Sequence, residues 1–133
     1  MTTELRRPIL VSIPHSSAAV PPEIKGQVAL SDHEILHYTD LFTDRIYAAP
    51  SVHTVQAEYS RVFVDVNRAP DDISKEYEQA EEGVQVLTTW DGRQVYKRRP
   101  SQHQADELIK KYHDPYHQKI EECMAEVQFL FDG

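Results

Sequence analysis

His15 stands in the stretch Pro-His-Ser-Ser, directly after the mainly apolar run Ile-Leu-Val-Ser-Ile at residues 9–13. An imidazole at such a point can ligate a metal, carry a proton, or serve as a hydrogen-bonded structural group. Ser16 and Ser17 are small, so another group can approach the backbone closely. Arg61 and Arg68 flank a second apolar run, Val-Phe-Val-Asp-Val at 62–66. Guanidinium forks bind carboxylates through two parallel hydrogen bonds, and Asn67 adds a neutral donor beside them. The plainer reading is two solvated charges, or ion pairs with Asp65, Asp71 or Asp72. In a straight strand the two arginines would lie roughly 20 Å apart, and a turn at Asn67 would fold Arg68 back.

Asp40 and Asp44 are four residues apart. On a helix they would share a face, and their repulsion invites a compensating cation: Lys25, Arg45 or a metal ion. His33/His37 and His113/His117 have the same spacing, which on a helix can chelate a divalent metal. Pro115 interrupts the second pair, and both pairs are read as surface or packing residues. No serine lies in a Gly-x-Ser-x-Gly elbow. Cys123 follows Glu121 and Glu122, whose charges disfavour a reactive thiolate.

These residues need elements to aim them. Residues 8–13 read as a buried strand that starts at Pro8 and stops at Pro14. Ser31-Asp-His-Glu34 and Ser101-Gln-His-Gln104 have capping-box spacing and predict helix starts. Thr39-Asp40 is a further cap candidate for "LFTDRIYAA". "SVHTVQAEY" and "RVFVDV" read as strands, the latter ended by the turn-forming "NRAPDD". Residues 71–100 are polar and irregular, with a turn at Asp91-Gly92 and a short strand before it. The second capped helix puts Leu108, Tyr112, Tyr116, Ile120 and Met124 on one face. Pro115 predicts a kink, or a restart with Asp114 as N-cap. "VQFLFDG" reads as a last strand with Asp132 at its end. The alternation predicts an α/β fold: a mixed, mostly parallel sheet flanked by helices, in a single domain over 1–133. In such sheets ligands bind beyond the carboxyl ends of the strands, where His15 and Asn67-Arg68 fall.

Composition narrows the partners. The 133 residues carry 14 Lys and Arg against 22 Asp and Glu, a net charge of −8 with His neutral. That disfavours nucleic acid and anionic membrane, which need a basic stripe, but allows a small acidic ligand held by local arginines. The four glycines are scattered, so no phosphate-cradling glycine loop exists. A lone cysteine fits a reducing cytoplasm, and the first residues lack the apolar core of a signal peptide.

Taken together, "PILVSIPHSS", "YTDLFTDRIY", "EYSRVFVDVNRAPDD", "DGRQVYKRR" and "YHDPYHQKI" resemble the N-formylglutamate amidohydrolase family. The order and spacing of the blocks match over essentially the whole chain. The resemblance implies a zinc-exopeptidase-like (phosphorylase/hydrolase-like) fold and hydrolysis of the formyl amide of N-formylglutamate, or of a related N-acyl amino acid. It implies zinc as cofactor, with His15 and Asp40 as metal ligands. It implies that Arg61 polarises the scissile carbonyl, and that Arg61, Asn67 and Arg68 bind substrate carboxylate. Ser17 departs mildly from the glycine or similarly small residue that the family usually has after Pro-His-Ser or Pro-His-Ala.

The blocks correspond to the amino-terminal half of the family. Its third zinc ligand, a His-Ser after the strand resembling "FLFDG", and its general base would belong to the other half. The resemblance therefore leaves open whether this chain is an active enzyme. It predicts negligible activity for the chain alone, and association with a second copy or a missing half through the exposed "VQFLFDG" edge. The alternative is a non-catalytic module that binds an acidic small molecule or a partner chain.

Overall fold

Two short parallel strands, β1 (Leu10–Ile13) and β2 (His53–Gln56), pair with Leu10 opposite His53 and Ile13 opposite Gln56. The computed structural model describes residues 7–49, 52–71 and 84–131. Parallel pairing requires a crossover. Here it runs through a 3₁₀ turn (Pro22–Gln27), helix α1 (Asp32–His37) and the short α2 (Thr43–Ile46). The Ser31 capping box forms as its spacing predicts: the Glu34 amide donates to the Ser31 hydroxyl, and the Glu34 carboxylate accepts from the Ser31 amide.

The second capping box, Ser101 with Gln104, starts α3 (Gln102–Leu108). A π turn (Ile109–His113) joins it to α4 (Asp114–Phe131). Pro115 does not restart the helix. It has no N–H to donate, and the turn before it is already widened, with the Asp114 amide bonding to the Ile109 carbonyl five residues back. α4 crosses both strands. The Tyr116 hydroxyl donates to the Val55 carbonyl at 3.2 Å and lies 2.5 Å from the Ser12 hydroxyl. One phenol thus ties the helix to the whole sheet. Burial pushes its pKa up, partly offset by the bond to Ser12.

Other predicted features differ as well. "RVFVDV" is not a strand. Val62, Phe63, Val64, Asp65 and Val66 are all buried, and a segment enclosed on every side need not alternate. It follows turns instead, with the Phe63 amide bonded to the Ser60 carbonyl and the Arg68 amide to the Asp65 carbonyl. "VQFLFDG" is helical through Phe131, so no strand edge lies at 127–131; Asp132 falls outside the described residues. After Pro115 nothing in the sequence breaks the helix, and Ile120, Cys123 and Val127 keep helical spacing on its half-buried side. Met124 leaves the apolar face and is 58% exposed, because steps of four overshoot a 3.6-residue turn by about 40° each.

Thr39-Asp40 does not cap α2. Phe42 does, with a left-handed backbone (φ 67°), while the Thr43 hydroxyl donates back to the Asp40 carbonyl. Asp40 therefore precedes the helix and shares no helical face with Asp44.

Residues 84–100 are irregular but anchored. The turn at Asp91-Gly92 forms, with Gly92 at φ 84° and the Thr89 amide bonded to the Arg93 carbonyl. An isolated Thr88–Gln94 bridge stands where the short strand was predicted. Thr89 and Tyr38 donate to the Asp91 carboxylate and hold its pKa down at about 2. Val84, Val95 and Tyr96 join Ile24, Ile35, Val55 and Phe63 in one core. No helix among the described residues is long and apolar enough to cross a membrane.

Phe63 is fully buried at the centre of that core. Phe63→Ala is expected to lower unfolding free energy by about 3–5 kcal/mol, read from urea denaturation. A loss below about 1 kcal/mol would place the ring outside the cooperative core.

Candidate active site

β1 ends at Ile13, and Pro14 stops the ladder, so His15 leaves the carboxyl end of the strand. Its carbonyl accepts from the Asp40 amide at 2.8 Å. This one backbone bond brings the loop before α2 to the strand end. It sets the Asp40 carboxylate 3.5 Å from His15 Nδ1. Arg61 reaches the same nitrogen from the turn after Ser60, with Nη1 at 3.2 Å.

Asp65 organises the other side of the ring. Its carboxylate is almost fully buried and lies 2.8 Å from His15 Nε2. A carboxylate only accepts, so Nε2 carries the proton and Nδ1 presents its lone pair to Asp40 and Arg61. Asp65 also accepts from the Asn67 amide at 2.9 Å and from Arg61 Nη2 at 3.4 Å. Burial by itself would raise its pKa. The bonds from His15 and Asn67 and the charge of Arg61 outweigh that and hold it below the usual carboxylate value. From the sequence, Asp65 was legible only as an ion-pair partner of an arginine. Its signal was a lone acid inside an otherwise apolar run, a position that calls for donors.

The Asn67 amide and His15 Nε2 share one Asp65 oxygen, while the Asn67 and Arg68 side chains have a further setting of their own. They line a shallow depression of about 520 Å³ against α4, opposite His113, His117 and Glu121. The two groups are linked through Asp65. His113 and His117 each donate from Nε2 to this loop, to the Arg68 carbonyl at 2.6 Å and the Val66 carbonyl at 2.7 Å.

The donor set at His15 fits part of a zinc site. A tetrahedral ion with bonds near 2.05 Å separates neighbouring donors by about 3.3 Å, close to the spacing of Nδ1 and the Asp40 oxygen. The free Nδ1 lone pair, backed by a carboxylate on the opposite nitrogen, is the arrangement of a metal-ligating imidazole. The cationic Arg61 guanidinium already faces that lone pair. Among the described residues no group of three or more His, Cys, Asp or Glu is placed to hold a metal. His33-Glu34-Ile35-Leu36-His37 also spells the zinc-protease pattern His-Glu-x-x-His. Its geometry serves other ends. Glu34 caps α1 and pairs with Arg93, His37 packs beside Tyr38 and Trp90, and His33 is exposed.

The family model for N-formylglutamate amidohydrolase matches residues 7–132. The chain belongs to the N-formylglutamate amidohydrolase family. It is 30% identical over 131 residues to an N-formylglutamate deformylase of Pseudomonas aeruginosa, covering 95% of this chain and 48% of that protein. It is 28% identical over 117 residues to the corresponding protein of Pseudomonas putida, covering 84% and 43%. The crystal structure of an N-formylglutamate amidohydrolase from Ralstonia eutropha JMP134 superposes with a TM-score of 0.81 at 19% identity, over 98% of this chain and 52% of that one. That likeness shows the α/β fold. The chain spans about half the length of the curated relatives it matches.

Because the Asp65 pKa is lowered in the fold, ionised Asp65 stabilises the protein above its unfolded value, and the gain is lost as pH falls through the folded one. Asp65→Asn should be less stable than the wild type at pH 7 by on the order of 1–3 kcal/mol. The gap should shrink below about pH 4, read from urea unfolding across pH. A gap constant with pH would show that Asp65 does not titrate with folding.

Proposed function

We propose that this chain forms the amino-terminal part of an enzyme that hydrolyses the formyl amide of N-formylglutamate, or of a closely related N-acyl amino acid, to formate and the free amino acid. Membership of the family supports the reaction class. The observation that carries the site is His15 Nδ1 set 3.5 Å from the Asp40 carboxylate, with the ring held through Nε2 by Asp65.

In this reading His15 and Asp40 hold zinc. When bound, zinc supplies a Lewis acid that acidifies water and polarises a carbonyl. Asp65 keeps the His15 ring oriented, with Nδ1 as the nitrogen that faces Asp40, and raises its basicity as a ligand. Arg61 stands beside that nitrogen, where its guanidinium stabilises negative charge growing on the formyl oxygen. Asn67 and Arg68 take the substrate carboxylates, the Arg68 fork pairing with one of them bidentately. The substrate is a dianion and the protein is acidic overall, so recognition rests on these local arginines. The third zinc ligand and the general base are assigned to chain equivalent to the other half of these relatives, or to a second copy in a homo-oligomer. The proposal places the protein in the cytoplasm, where a lone thiol such as Cys123 stays reduced.

Zinc uptake by equilibrium dialysis tests the site. Weak binding is expected, with affinity reduced at least about tenfold in His15→Ala and Asp40→Ala and 10–100-fold in Asp65→Asn. Uptake indifferent to all three would remove the assignment. Formate release from N-formylglutamate tests the division of labour. Without a general base the chain should turn over at least about 10²-fold more slowly than the Pseudomonas aeruginosa relative. Comparable zinc-dependent turnover, abolished by His15→Ala, would show that this chain completes the site.

A further inference from the structure

His113 and His117 play no part in the site around His15, yet each spends a ring nitrogen on the same short loop. The Val66–Arg68 backbone lies in no strand or helix. Four of its backbone polar groups are paired outside any regular ladder. The Asn67 amide donates to the Asp65 carboxylate, and the Arg68 amide to the Asp65 carbonyl. The two carbonyls on either side of Asn67, those of Val66 and Arg68, accept from His117 and His113. Carbonyls only accept, so both imidazoles carry their proton on Nε2. The rings lie 4.6 Å apart between centroids, tilted by 31°, so neither shifts without the other.

His113 is 3% exposed, and its Nδ1 makes no hydrogen bond, with the Asp114 carboxylate 3.6 Å away. A buried imidazole that leaves one nitrogen unsatisfied is a poor choice for packing alone. An aliphatic side chain would fill the same space without an orphaned polar atom, but it could not hold the Arg68 carbonyl. The two histidines are one turn apart, His113 closing the π turn and His117 in α4, on a helix that Tyr116 fastens to both strands. The loop is thereby referenced to the sheet that also carries His15.

We propose that His113 and His117 are positioning residues: they clamp the Asn67–Arg68 loop and so set the direction in which Asn67 and Arg68 present their side chains to a carboxylate. The clamp rests on the hydrogen bonds themselves. Its use in carboxylate recognition rests on the role given to Asn67 and Arg68 under the proposed function.

The test compares His113→Leu/His117→Leu, which removes both donors, with His113→Gln/His117→Gln, which keeps an N–H near each former Nε2. Amide exchange at Asn67 and Arg68 is followed by NMR, and glutarate serves as a dicarboxylate probe. In the leucine variant both amides should exchange at least about tenfold faster and glutarate affinity should fall about tenfold or more, with zinc uptake at His15 unchanged. The glutamine variant should recover most of both. Unchanged exchange in the leucine variant, or equal damage in the glutamine variant, would overturn the clamp. Should the leucine variant not fold, ¹⁵N shifts of the wild-type imidazoles decide: both rings must be Nε2–H tautomers, and an Nδ1–H tautomer in either one overturns the proposal. Accelerated exchange with glutarate binding that is insensitive to Asn67→Ala and Arg68→Leu would overturn the carboxylate reading and the positioning role with it, and leave the clamp as a feature of the fold.

Discussion

A carboxylate taken out of water must be given donors, and Asp65 is the point from which this structure is arranged. It sits in the most enclosed segment of the chain, among Val62, Phe63, Val64 and Val66, and it receives His15, Arg61 and the Asn67 amide. Each of those bonds imposes a position elsewhere. The bond to His15 selects a tautomer and turns one lone pair outward. The bond to Asn67 tightens the turn that carries Arg68. The pairing with Arg61 holds a cation beside the same imidazole. An apolar residue at position 65 would pack as well and would organise none of these groups.

The scaffold that makes this burial possible is small. Two four-residue strands do not form a stable sheet by themselves. They are held by α4 and by the irregular core segments 62–66 and 84–96. Tyr116 bonds both strands at once, and His113, one turn before it, and His117, directly after it, bond the loop beyond. Helix, sheet and loop are joined by polar contacts directed through a single helical face. The Tyr38–Thr89–Asp91 cluster does a comparable job at the far end, where it fastens the 88–93 turn to α1.

Family membership is what supports the proposed reaction class, and the proposed division of labour within this chain follows how Asp65 connects its groups. The His15 group and the Asn67–Arg68 group are connected through Asp65. A substrate with charged groups at both ends of a short carbon chain suits such an arrangement, since one end can be held while the other is presented to the reacting centre.

Much of this was legible in the residues themselves. Prolines at 8 and 14 delimit β1, serine–acid and serine–amide spacing marks the starts of α1 and α3, and Asp91-Gly92 marks its turn, because each is decided by local backbone chemistry. The motif blocks carried the family. What sequence could not decide depended on surroundings. "RVFVDV" has the composition of a strand, but complete enclosure let it turn instead, and only that turning brings Arg61 to Asp65 four residues on. "VQFLFDG" has the apolar content of a strand, yet it continues a helix already under way. His-Glu-x-x-His at 33–37 has the spacing of a metal site, but Glu34 and His37 are engaged elsewhere. His113 and His117 looked like surface or packing residues, since a hydrogen bond to a carbonyl 45 or 51 residues away leaves no periodic trace in the chain. Local rules settle where elements begin and end; which groups meet is settled by long-range packing, which alone determines the donors a buried acid finds.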